Sequence, residues 1–130
     1  MKKIFDAKLM GKVQPKQRPR VFRGRAFTPK ETAQYEKLVK EWASLLYRKP
    51  PSEKAVKVVM NFYMAKAKTN KKVFHTQTPD IDNLAKSVCD ALNGIVFKDD
   101  CQIVELVLSK VFCEIDKQPY VSLQIFELEK

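Results

Sequence analysis

No apolar run in this chain of 130 residues is long enough to span a bilayer, and the opening Met1-Lys2-Lys3-Ile4-Phe5-Asp6 is charged with no apolar stretch behind it. These absences exclude a membrane-spanning helix and give no secretory signal. Cysteine is scarce: Cys89, Cys101 and Cys113 are odd in number, and none belongs to a CxxC pair. That argues against a disulfide framework and a zinc knuckle, and reads as buried thiols in a reducing cytoplasm. The single histidine, His75, falls in a polar stretch and reads as a loop contact rather than a catalyst. There is no internal repeat and no low-complexity tract. With 45% apolar and 31% charged residues, the chain has the composition of one globular domain.

Acidic residues are missing from two whole segments. Gln14 to Phe27 carries Lys16, Arg18, Arg20, Arg23 and Arg25 beside Pro15, Pro19 and Gly24, and Ala65 to Thr78 carries Lys66, Lys68, Lys71 and Lys72. Both read as loops. Residues 1 to 79 hold 20 Lys/Arg against 5 Asp/Glu, a net +15, whereas residues 80 to 130 hold 5 against 10, a net −5. A cationic portion of this size seeks a polyanion, and without a cationic amphipathic helix the expected partner is nucleic acid rather than a membrane. If about six of the loop cations neutralised phosphates, log affinity would fall with log salt at a slope of roughly −5. Phe22 and Phe27 in the first loop are candidates for wedging or stacking on bases, although an aromatic pinning its own loop is as common.

Periodicity supplies the frame. Phe5, Ala7, Leu9, Gly11 and Val13 alternate in a first strand over Ile4 to Val13. Thr28-Pro29-Lys30-Glu31 reads as a capping box with proline at the first helical position. The helix that follows is expected to bury Tyr35, Leu38, Val39, Trp42, Leu45 and Leu46 before Pro50-Pro51 stops it. Val56 to Met64 alternates as a second strand. Ile81, Leu84, Ala85, Val88, Leu92 and Ile95 recur at helical spacing, with Asn93-Gly94 as the stop. Gln102 to Cys113 reads as a strand, Asp116-Lys117-Gln118 as a turn, and Tyr120 to Leu128 as the hairpin partner. The order strand, helix, strand, helix, strand, strand predicts an α+β single domain: a mixed sheet with helices on one face, the other face exposed or paired with a second subunit.

The chemistry concentrates between Pro79 and Gln102. Asp80 and Asp82 stand at a helix entrance, and Asp99-Asp100 arrives after the helix and a short turn, so these carboxylates can converge without being neighbours. Asp at a helix start is also favoured by capping and by the helix dipole. Like-charged carboxylates repel unless a cation lies between them, and hard oxygen ligands suit Mg²⁺, for which Mn²⁺ substitutes. Strand alternation lets only one of Asp99 and Asp100 point inward, and proximity to the strand favours Asp100. Lys86 lies four residues from both Asp82 and Asp90, as in a surface ion-pair ladder, or else serves a phosphate beside the metal. Asn83 and Gln102 are candidates for tethering ligands.

The run PDIDNLAKSVCDALNGIVFKDDCQIV resembles the RusA family of phage and prophage Holliday junction resolvases, with its D-x-D-N-L-x-K, D-A-L and D-D-x-Q signatures. The resemblance implies a homodimeric, Mg²⁺-dependent endonuclease of DNA recombination and repair that nicks four-way junctions symmetrically. By position it implies Asp80, Asp82 and Asp100 as metal-binding carboxylates and Lys86 as the essential lysine, with Asp90 in support. The family's amino-terminal loop carries an aromatic that opens the crossover, a part open to Phe22 or Phe27. The rival expectation is a non-catalytic nucleic-acid-binding module that uses its aspartates as caps, or a nuclease for other branched DNA.

Overall fold

A computed structural model describes residues 1–17, 20–27 and 29–129, with the side chains of Arg20 and Phe27 outside that description. The strands are β1 (Lys2–Met10), β2 (Arg20–Phe22), β3 (Arg25–Phe27), β4 (Val56–Met64), β5 (Ile103–Phe112) and β6 (Tyr120–Glu127). The helices are α1 (Lys30–Leu46) and α2 (Ile81–Leu92), and a 3₁₀ turn covers Asp100–Gln102. Four strands form a mixed sheet in the order β1-β6-β4-β5, as expected for an α+β fold. No helix among the described residues is long and apolar enough to cross a membrane.

One face of the sheet makes the core. On β4, Val56, Val58, Met60 and Phe62 are fully buried, and Ile125, Leu123 and Val121 on β6, the register partners of the last three, continue the layer to Phe5 and Leu9 on β1. Period-two alternation puts all of these on the same side. Leu84, Val88 and Leu92 of α2, with Tyr35, Val39 and Ala43 of α1, join the same cluster. β4 and β5 run parallel, so α2 serves as the crossover that a parallel pair requires.

Four expectations are corrected. β6 is not the hairpin partner of β5: it inserts between β1 and β4, antiparallel to both. In that central position Val121, Leu123 and Ile125 are buried between two strands, whereas the far side of β4 is already taken by β5. The first basic segment is not wholly a loop, because β2 and β3 pair as a small hairpin turning at Arg23 (φ 50°) and Gly24 (φ 75°). Two successive positive φ values suit the two-residue hairpin turn, and only the second falls on glycine. On α1 the buried stripe is Thr32, Tyr35, Val39 and Ala43, at a spacing close to one helix face, while Leu38, Leu45 and Leu46 are exposed. Finally, Cys101 is exposed, and only Cys89 and Cys113 are buried.

The helix boundaries follow local chemistry. α2 ends at Asn93 and Gly94 (φ 79°), the stop read from the sequence, and Ile95 lies beyond it. α1 begins at Lys30 with Pro29 at the N-cap position and no side-chain cap among the described residues; Thr28, the expected cap, lies outside them.

Candidate active-site groove

α2 and β5 do not close completely on each other. Between them runs a groove of about 370 Å³ with Asp82 and Lys86 on one wall, Asp100 at one end, and Ala85, Leu106 and Leu108 among its apolar lining. Asp82 and Lys86 are one helical turn apart on the exposed side of α2, whose remaining circumference is largely buried. A neighbouring groove of about 620 Å³ is bordered by His75, Asp80, Asp82, Ser109 and Lys110. Asp82 and Leu108 line both, so the two grooves adjoin beside β5.

Four of the charges here, those of Asp80, Asp82, Lys86 and Asp100, have no internal partner among the described residues. Asp80 occupies the N-cap position of α2, yet its side chain makes no cap hydrogen bond among the described residues. Neither Asp80, Asp82, Lys86 nor Asp100 takes part in an ion pair within the described chain. The Asp82–Lys86–Asp90 ladder permitted by spacing is therefore not formed. Cys89 sits at the floor of the groove, where burial and then the nearby Asp100 and Asp90 charges push its thiol up to about 12, so it stays protonated. It contributes packing rather than a nucleophile.

Asp99 and Asp100 differ in their contacts. The Asp99 carboxylate accepts from the Cys101 N–H at 3.1 Å, and Gln102 Oε1 accepts from the Asp99 N–H at 2.9 Å, a capping box on the 3₁₀ turn. The Cys101 contact holds the Asp99 carboxyl below its ordinary range. Gln102 also donates to the carbonyls of Ser52 and Lys54, each at 2.8 Å, and so ties the turn to the chain entering β4. With Asp99 and Gln102 committed to the backbone, Asp100 is the carboxylate presented to the groove.

Among the described residues no three His, Cys, Asp or Glu side chains are close enough to share one metal ion. Asp82 and Asp100 border one groove, and Asp80 adjoins from the next. The donors are nevertheless all carboxylate oxygens, the chemistry that suits a hard divalent cation.

The other expected residues divide. Asn83 is exposed, and its carbonyl accepts from the Lys16 N–H at 3.0 Å. Lys16 is not exposed as Arg23 and Arg25 are: it pairs with Glu36 of α1 and, at 3.3 Å, with Asp90 of α2. Burial acts to lower its pKa, but the two carboxylates outweigh this and hold the ammonium above its ordinary value. Arg23 and Arg25 are exposed in the hairpin, and the Arg23 guanidinium lies 5.3 Å from the centre of the exposed Phe22 ring. Arg18 and the side chains of Arg20 and Phe27 lie outside the described residues. Lys68, Lys71 and Lys72 are exposed and Lys66 is half-buried.

Sequence reading overlooked two residues. Lys110 of β5 donates to the carbonyls of Gln77 and Pro79, both at 2.6 Å, which fixes the chain immediately before Asp80. Only the parallel register, placing Lys110 opposite Phe62 on the helix side of the sheet, reveals this. Phe74 is exposed on the rim of the second groove and bridges to Val111. His75 donates its N–H to the Lys110 carbonyl at 3.2 Å and packs on Phe112 with ring centres 4.9 Å apart.

The family described as endodeoxyribonuclease RusA matches residues 10–125. The uncharacterized protein YqaN of Bacillus subtilis (strain 168) is 41% identical over 73 residues, covering 55% of this chain and 49% of that protein. The chain thus aligns with about half the length of that curated relative.

Proposed function

This chain belongs to the RusA family of endodeoxyribonucleases, and from that premise we propose that it cuts branched DNA, resolving four-way junctions by symmetric nicking in recombination and repair. The observation that carries the proposal is the set of uncompensated charges in one groove: Asp82, Lys86 and Asp100 lie together without an internal partner among the described residues. A structural aspartate is normally capped or paired, as Asp99 and Asp90 are. Groups left open together are available to a substrate and its counterion.

In this reading Asp82 and Asp100 would be the first ligands of a divalent cation, Mg²⁺ or in its place Mn²⁺, and Asp80 of the adjoining groove would have to move in to join them. When bound, the cation polarises the phosphate and lowers the pKa of water at the site. Lys86, on the same wall as Asp82, places a fixed positive charge against the phosphate oxygens, where negative charge grows as the phosphodiester is attacked. The apolar floor of Ala85, Leu106 and Leu108 limits water at the reacting centre. Lys110 holds the Gln77–Pro79 backbone so that Asp80 stays at the rim. Arg23, Arg25 and the lysines of the second basic segment bind the duplex arms, and Phe22, exposed near the hairpin tip, meets the bases at the crossover. A homodimer with two-fold symmetry presents two such grooves to the two like strands of a junction. We place this activity in the cytoplasm.

The test is incubation of purified protein with a labelled four-way junction and the matching linear duplex, with Mg²⁺ and with chelator, resolved on a denaturing gel. Paired Mg²⁺-dependent nicks near the crossover are expected. A retained but uncut junction under every condition contradicts the proposal and points to a binding module.

A further inference from the structure

Five basic residues of the first acid-free segment resemble one another in sequence, but Lys16 is bound whereas Arg23 and Arg25 are exposed. Lys16 is about one-fifth exposed and clamped between the helices by Glu36 and Asp90, while its own N–H donates to Asn83, the residue after Asp82. On either side of it the chain is also tied down. Ser87 of α2 donates to the carbonyl of Gln14 at 2.7 Å. Thr32 of α1 exchanges two hydrogen bonds with Gln17, accepting from its N–H at 3.2 Å and donating to its Oε1 at 3.1 Å. The helices thus grip the chain from Gln14 to Gln17 on both sides.

We propose that Lys16, held by Glu36 and Asp90, is a positioning residue that moors the basic hairpin to the carboxylate-bearing helix, and is not a DNA contact. The inference rests on the DNA-binding reading above. Three residues lie between Lys16 and the hairpin's first residue, so over four Cα–Cα steps the mooring keeps Arg20 within about 14 Å of Lys16. The same lysine is bonded to α2 at Asn83, beside the groove, and at Asp90, about two turns further along. The hairpin with Phe22, Arg23 and Arg25 is therefore referenced to the helix that carries Asp82 and Lys86. A loop fixed in advance loses less conformational freedom when DNA arrives, and so binds more tightly than the same cations on a free tether. Asp90 thereby acts through another residue, by holding the mooring lysine in place.

The test uses the sign of a charge effect. Asp90→Asn and Glu36→Gln each remove a negative charge from a DNA-binding protein, which by electrostatics alone tightens binding. The mooring predicts the opposite, a loss of about tenfold in junction affinity, the scale of one charge-assisted hydrogen bond. Lys16→Met is expected to weaken binding while leaving the salt slope at the parent value, and Lys16→Arg to restore affinity. A direct phosphate contact at Lys16 instead lowers the slope by about 0.9 in Lys16→Met. Amide exchange across residues 20–27 supplies a readout independent of DNA: it accelerates in Asp90→Asn while the buried stretch of α2 keeps its protection. Tighter or unchanged binding in both acid-to-amide variants, or unchanged exchange in the hairpin, overturns the mooring. Failure of the parent to bind junctions overturns the function proposed above, and the exchange result still decides the mooring.

Discussion

Two sites on α2 set one lysine among carboxylates, and they differ in whether the charges are paired. At one end Lys16 is closed between Glu36 and Asp90, half-buried, with each charge answered inside the molecule. Along the open face Lys86 shares a groove with Asp82 and Asp100, and among the described residues none of the three pairs with another. A lysine and carboxylates gathered at α2 serve cohesion in the first case and leave binding capacity in the second. Composition does not separate the two sites; pairing does.

The contrast is broken most severely by substituting the groove. Asp82→Asn or Asp100→Asn is expected to reduce single-turnover junction cleavage by about 10³-fold or more, roughly 4 kcal/mol of transition-state stabilisation, with junction binding retained. Titration of Mn²⁺ followed by calorimetry should lose its binding heat in those variants and keep it in Asp90→Asn; equal heats in all of them would place the metal elsewhere. Lys86→Met is expected to cost about 10² to 10³-fold in cleavage rate, measured at saturating protein. Lys110→Met, which frees the carbonyls before Asp80, is expected to cost between about tenfold and 10²-fold, because in the proposed function it displaces Asp80 without removing its carboxylate. The smallest effect belongs to Asp99→Ala, which removes the cap of the 3₁₀ turn: a slightly lower melting temperature with cleavage rate unchanged.

Short-range pattern carried much of this molecule. β4 has the bounds Val56–Met64 that alternation predicts, because each of its inward residues is buried by the same sheet face. α2 was legible from Leu84, Ala85, Val88 and Leu92 and from the Asn93-Gly94 stop, all set within one helix. Long-range pairing was not legible. Tyr120–Glu127 follows Ile103–Phe112 in sequence and invites a hairpin, yet β6 joins β1 and β4, a choice made by strands far away in the chain. The exposure of Leu38, Leu45 and Leu46 has the same origin, since which stripe of α1 faces the core is decided by the sheet beneath it. At the candidate site, aspartate spacing pointed to the stretch and proximity to the strand favoured Asp100, but the distinct occupation of Asp99 rests on a hydrogen bond to Cys101 that no spacing reveals. Lys16 was indistinguishable from Arg23 in a run without acids, because Glu36 and Asp90 reach it only through the packing of two helices. The Arg23-Gly24 turn was hidden because a non-glycine residue takes a positive φ there.

The most direct measurement compares two neighbours: cleavage of a labelled four-way junction in Mg²⁺ by Asp99→Asn and Asp100→Asn, prepared and assayed side by side. The account predicts that Asp99→Asn cuts at the parent rate and that Asp100→Asn binds the junction without cutting it. Loss of cleavage in Asp99→Asn with full activity in Asp100→Asn would contradict the placement of the catalytic carboxylate in the groove between α2 and β5.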